Sequence, residues 1–208
     1  EEFLEENFAV VVNSLREVWD FFEEEGIEIE LSNGQGADKV MSAVLSGHID
    51  IGFAGPEATI YVVNEGRENH PQVFAQLTQR AGNFLVGRQP EENFQWSSLA
   101  GKKVLGGRAG GMPQMVFEYI LKKNGLDPVN DLTIDQSISF GLTAAAFTSS
   151  AADYTIEFEP FATTLEMEGS GAVVASLGTE SGYVPYTAYS ARKSYLKQHP
   201  EVIQSFTN

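Results

Sequence analysis

Lys102-Lys103-Val104-Leu105-Gly106-Gly107-Arg108-Ala109-Gly110-Gly111-Met112-Pro113 is the stretch on which the fold turns. A short strand runs into a glycine-rich loop, and Pro113 opens a helix that reaches Lys123, with Asn124-Gly125 as its stop. A loop of this kind between a strand and a helix turns free backbone N–H groups, and the positive end of a helix dipole, toward one point. Its glycines let a ligand approach the backbone without interference from a Cβ. Arg108 adds a planar donor for a carboxylate, sulfonate or phosphate. No Gly-Lys-Ser/Thr follows, so this is not a Walker A loop, and the spacing is not GxGxxG. The plainer reading is a tight turn with a solvated arginine.

The same grammar extends outward in both directions. Upstream, Phe8–Glu25 carries Val11, Leu15, Val18, Trp19 and Phe22 at helical spacing, and Gly26 ends it. Ile27–Leu31 alternates as a half-buried strand does. A helix over Asp38–Leu45, a strand over Ile49–Phe53 and a helix opened by Gly55-Pro56-Glu57 come next, then strands over Val73–Thr78 and Phe84–Val86. Downstream of the polar stretch Gln89–Asn93, strands are expected at Lys102–Leu105, Leu132–Asp135, Tyr154–Phe158 and Ala172–Leu177. Helices at Pro113–Lys123 and Gly141–Thr148 separate them, and Pro200 starts another near the C-terminus. Strands alternating with helices predict an α/β fold with mostly parallel sheets. Ser46–Asp50 leads through a strand to Pro56, and Ser149–Asp153 leads through a strand to Pro160. This echo predicts two lobes joined by extended segments at Phe84–Arg88 and Tyr183–Tyr189.

Composition narrows the function. The 208 residues hold 13 Lys+Arg against 29 Asp+Glu, a formal net charge of −16, which argues against nucleic acid and anionic membrane surfaces as partners. With 42% hydrophobic residues there is enough apolar matter for a core. The absence of cysteine removes disulfides, thiolate metal sites and cysteine nucleophiles together. His48, His70 and His199 have no metal-ligand spacing, and no GxSxG elbow occurs. No apolar run approaches the ~20 residues of a membrane span, and Glu1–Glu6 lacks the features of a signal peptide.

Gly55-Pro56-Glu57 and Glu157-Phe158-Glu159-Pro160 stand at equivalent strand-to-helix corners, where ligands bind in open α/β sheets. Glu157 and Glu159 point to opposite sides of a strand, so at most one of them looks inward. Either is a candidate base for a lyase or hydrolase; helix N-terminal charge is the plainer role. Among the aromatics Phe8, Trp19, Tyr61, Tyr154, Phe158, Tyr183 and Tyr186, core packing is the default; Tyr183 and Tyr186 stand out because they lie in the second connection.

Phe21–Ile29 and Leu45-Ser46-Gly47-His48-Ile49-Asp50 resemble the first lobe of substrate-binding proteins of ABC importers, in the NMT1/THI5-like and sulfonate/nitrate/taurine group. Leu99–Val104, Gly110-Gly111-Met112-Pro113, Leu121–Leu126 and Glu159-Pro160-Phe161-Ala162 resemble the second. The resemblance runs from about Phe21 to Asn208. It implies a two-lobed periplasmic-binding-protein type II fold, with residues 1–86 completed by 187–208 as lobe 1 and 87–186 as lobe 2. It further implies hinge closure over a small molecule (a thiamine-pyrimidine precursor, a flavin-like ring, an alkanesulfonate or nitrate) and delivery to a membrane permease. Two departures stand out. Asp20 replaces the glycine that normally ends a short helix before the Phe-Phe pair, and the helices that return to lobe 1 look shortened. Pyrimidine synthases on this scaffold need a cysteine-rich motif that this chain lacks.

The expectation is therefore a monomeric, non-enzymatic, extracytoplasmic binder without metal or cofactor. Its ligand-binding residues are expected to be Arg108, Gly110, Gly111, Met112, Gly55, Glu57, Glu159, Tyr186 and Phe8. Arg108, Gly110 and Gly111 would hold an anionic or polar head, and Tyr186 and Glu159 the body of the ligand. An enzyme using Glu157 or Glu159, or an altered scaffold without a native ligand, are the alternatives.

Overall fold

A computed structural model of the chain describes residues 18–34, 36–139, 141–149 and 152–208. Residues 18–24 are helical (α1). There follow α2 (Ala37–Ser46), β1 (Ile51–Ala54), α3 (Glu57–Asn64), β2 (Pro71–Thr78), β3 (Asn83–Gly87), a 3₁₀ turn at Trp96–Leu99 and β4 (Lys103–Leu105). The rest is α4 (Met112–Lys123), β5 (Thr133–Asp135), α5 (Thr143–Ser149), β6 (Tyr154–Phe158), α6 (Phe161–Met167), β7 (Ala172–Ser176), α7 (Leu177–Ser181), β8 (Thr187–Arg192), α8 (Lys193–Gln198) and α9 (Pro200–Thr207). The α/β class and most expected elements are present, with ends displaced by a residue or two. Phe8 and the upstream part of the expected Phe8–Glu25 helix lie outside the described residues.

The strands form a three-stranded sheet, β1-β8-β2, and a five-stranded sheet, β5-β4-β6-β3-β7. The pairings of the first sheet are antiparallel and those of the second are mixed, which corrects the expectation of mostly parallel sheets. β4 pairs parallel with β5 and β6, whereas β3 is antiparallel to β6 and β7, and β8 is antiparallel to β1 and β2. The cause is the way the chain crosses between sheets. β1, β2, β4, β5, β6 and β7 all run toward the side where the two sheets approach each other. β3 and β8 each enter from the other sheet, so they start at that side and run back.

The first crossing lies at 79–82, upstream of the expected Phe84–Arg88, because Asn83–Gly87 already pairs in the five-stranded sheet. Residues 83–86 therefore belong with the second sheet, not with the first lobe as its expected boundary had it. Leu85 and Val86 are wholly buried, and only a central strand with cover on both faces can hide two consecutive side chains. The second crossing, 182–186, overlaps the expected Tyr183–Tyr189 only in part, because Thr187–Tyr189 already pairs in β8.

Among the described residues Ile27–Leu31 pairs with no strand. Its alternation appears as half-buried Ile27 and Ile29 against exposed Glu28 and Glu30. Alternation specifies which face is covered, not that a backbone partner exists. The largest core lies between the second sheet and its helices, around Leu85, Leu99, Val104, Phe117, Ile120 and Leu177. On the first sheet, Phe206 of α9 packs on Phe22, Phe74 and Tyr189 at ring distances of 5.2, 6.0 and 5.0 Å. Among the described residues no helix is long and apolar enough to cross a membrane.

Candidate functional site

The glycine-rich loop after β4 lies opposite α2 and the β1–α3 corner of the other half, and three contacts join the two sides. Met112 N–H donates to Glu57 Oε1 at 3.2 Å, Tyr61 Oη–H donates to the Gly110 carbonyl at 3.0 Å, and Arg108 Nη1 stands 3.5 Å from Asp38 Oδ1. Local chemistry sets the loop's shape. Gly110 has φ +75°, a conformation a side chain disfavours, and its N–H donates to Gln114 Oε1 at 2.5 Å. Gly111 N–H donates to the Arg108 carbonyl at 3.0 Å. The loop N–H groups expected to meet an anionic head thus already have acceptors within the protein. The acceptor for Met112 is Glu57.

Glu57 is the first residue of α3 and only 4% exposed. Burial pushes its carboxyl upward; its own N–H, the Met112 N–H and the Arg108 guanidinium pull it back in part. Its carboxylate folds over Gly55, where an added Cβ would collide with it. Its Oε2 has no hydrogen-bond partner among the described residues, and the same holds for the Tyr186 hydroxyl and both side-chain polar atoms of Asn83. These groups are neighbours. Burial and the Glu57 charge raise the Tyr186 phenol, Asn83 is the cross-strand partner of Phe158, and the Phe158 and Tyr186 rings lie 6.3 Å apart.

On the second sheet a cavity of about 170 Å³ opens beyond the ends of β4 and β6. Gly106, Arg108, Thr143, Glu157, Phe158 and Phe161 contribute to its walls. An apolar cavity of ~150 Å³ takes up benzene, so the volume suits about one six-membered ring. Glu157, 3% exposed, accepts hydrogen bonds from Thr155 Oγ1 at 2.6 Å and Thr143 Oγ1 at 3.0 Å. Burial raises its carboxyl, and the two hydroxyls oppose that shift.

Of the two glutamates on this corner, Glu157 is the buried one. Glu159 is exposed at the cavity's edge, where its Oε2 accepts from Thr163 N–H at 3.1 Å. Arg108, Gly110, Met112, Gly55, Glu57 and Tyr186 come together; Glu159 stands at the rim. Thr155, Thr143, Asn83 and Asp38 were missed. Thr155 was legible as the residue two before Glu157, on the same strand face. Asn83, an amide beginning the apolar run Phe84-Leu85-Val86, was a weaker signal. Thr143 and Asp38 reach the site only through tertiary packing.

Two α/β halves threaded by two crossing strands, with buried glutamates at matching corners beside the cleft, define the periplasmic-binding-protein class of scaffold. The NMT1-like family model matches residues 15–208, and the chain belongs to that family. It is 46% identical over 187 residues to YtlA of Bacillus subtilis (strain 168), named a putative binding protein, covering 90% of this chain and 56% of that one. The periplasmic aliphatic sulphonate-binding protein SsuA of Escherichia coli superposes with a TM-score of 0.73 at 18% identity, over 95% of this chain and 65% of its own. The periplasmic nitrate-binding protein NrtA of Synechocystis PCC 6803 does so with 0.69 at 16%, over 89% and 53%. The chain thus spans about half to two-thirds of the length of these relatives.

Proposed function

We propose that this protein is the solute-capturing component of an ABC importer, working outside the cytoplasm as a monomer that closes two lobes over a small molecule and hands it to a membrane permease. Residues 18–78 with 187–208 form one moving body and 83–181 the other, and the crossings at 79–82 and 182–186 act as the hinge. The observation that carries this reading is the set of buried, unpartnered polar atoms on Glu57, Asn83 and Tyr186, gathered where the halves meet. Buried polar groups without partners are costly, and a ligand closed between the halves would supply the missing bonds.

The same groups indicate the ligand's chemistry. Two buried carboxylates, Glu57 and Glu157, favour a molecule that donates hydrogen bonds, and the cavity volume favours a single ring. A nitrogen-rich heteroaromatic such as an aminopyrimidine fits both demands better than an alkanesulfonate or nitrate. The neighbours that bind those anions share the fold at identities that carry no ligand across. Capture without turnover fits the buried, hydroxyl-bound state of Glu157 and a relative named as a binding protein.

A thermal-shift titration with aminopyrimidines, flavin-type rings, alkanesulfonates and nitrate tests the reading. A ligand at 100 times its Kd stabilises by about 2.7 kcal/mol, enough for a clear rise in midpoint. Aminopyrimidines are expected to give it. A flat response to the whole panel sinks the capture role, and conversion of a panel member, lost in Glu157→Gln, would replace it with an enzymatic one.

A further inference from the structure

Two helix N-termini, one from each half, converge on the Glu57 carboxylate. Its own N–H opens α3, and the Met112 N–H opens the twelve-residue α4. Arg108 adds a guanidinium charge from the loop beside them. Convergent helix N-termini with a neighbouring arginine make an anion site by elementary electrostatics. Here the anion is part of the protein, 4% exposed, with Oε2 left unpartnered. Gly55 supports the arrangement, since an added Cβ there would overlap the carboxylate and oblige the Glu57 side chain to shift.

From this geometry we infer that Glu57 is a specificity residue: its carboxylate fills the anion position of the cleft and so bars sulfonate-, sulfate- and phosphate-type ligands, leaving Oε2 to accept a hydrogen bond from a neutral or cationic one. The inference rests on reading this cleft as the capture site. Bringing a second anion to the same donors would place like charges side by side in a desolvated space, a strongly unfavourable arrangement. Removing the carboxylate frees the Met112 N–H and the α3 N-terminus beside Arg108, which keeps its ion pair with Asp38.

Inorganic sulfate is the probe, titrated calorimetrically against the wild type, Glu57→Ala, Glu57→Gln and Glu57→Ala with Arg108→Ala, each checked for cooperative unfolding. Glu57→Ala is expected to bind sulfate at least ten times more tightly than the wild type, and the added Arg108→Ala to abolish the gain. If Glu57→Ala does not fold, the near-isosteric Glu57→Gln carries the test, with an expected gain of at least threefold. Folded variants whose sulfate titrations overlay that of the wild type overturn the inference. So does a gain that survives loss of Arg108, because the ion is then bound elsewhere. The capture reading fails by a different measurement, the absence of any wild-type response to the uncharged and cationic panel, so the two failures are separable.

Discussion

The β1–α3 and β6–α6 corners are built alike and used differently. Each takes a strand toward the cleft, turns at a proline (Pro56 or Pro160) and buries a glutamate nearby. Glu57 reaches out of its own half, and its partners are backbone N–H groups at helix ends. Glu157 stays within its half, and its partners are two threonine hydroxyls. Helix N–H groups are fixed dipoles that favour charge whatever the side chain does. Hydroxyls rotate, and serve a carboxylate or a carboxylic acid equally well. Glu57 is thus bound into the joint between the halves, whereas Glu157 is the adaptable group inside the pocket.

The comparison can be broken most forcefully at Gly55. Gly55→Ala is expected to dislodge Glu57 and cost about 1–3 kcal/mol in urea unfolding, as overpacking of a filled site does. The corresponding pressure is absent at the other corner, where Glu159, the residue before Pro160, already carries a side chain. Thr143→Val should cost about 1–2 kcal/mol near neutral pH by leaving Glu157 Oε2 without its donor, while the response to Glu57 variants stays unchanged. An equal loss of contact between the halves after Thr143→Val would mean that the two carboxylates are not independent.

Tyr186→Phe sharpens the contrast between stability and function. Deleting an unpartnered buried hydroxyl is expected to leave the unfolding free energy unchanged or raise it by up to about 1 kcal/mol, while ligand affinity falls about tenfold. If stability falls instead, the hydroxyl has a structural partner. The pH profile gives a further test. Glu57 and Glu157 both have carboxyls raised by burial, so the folded state holds their protons more tightly than the unfolded chain does. Their contribution is fully present below the ordinary glutamate value of about 4.3 and is lost as pH rises through the raised folded values. Glu157→Gln should flatten that decline in a melting-versus-pH series; an unchanged slope would remove Glu157 from the account. The smallest effect belongs to Tyr61→Phe, which deletes one exposed hydrogen bond between the halves and should change stability by less than ~1 kcal/mol.

Much of this was legible in the sequence, for identifiable reasons. The glycine-rich stretch before Pro113 and the paired proline corners are local signals, and the strand–loop–helix units they specify are present with small shifts at their ends. Strand direction was not legible, because neither the apolar run in β3 nor the mixed run Thr187–Arg192 of β8, read as part of an extended connection, shows its direction until the chain's crossings between sheets are known. That several candidate residues gather in one region was legible, but their hydrogen-bond partners were not. Gly110, Gly111 and Arg108 read as an anion cradle, and nothing in the spacing revealed that Glu57, far upstream, would fill it. Glu157 and Glu159 could be separated only by which sheet face is covered, and that depends on α5 bringing Thr143 across.

The intercalated strand β8 also sets an order of events. β1 and β2 meet only through β8, so the first sheet cannot close until the ribosome has released the chain as far as Arg192. The second sheet has all its strands once Ser176 has emerged. The half encoded first is therefore the half completed last, held open by a long-range pairing that slows folding. Its exposed strands are where a nascent chain of this protein would need a chaperone.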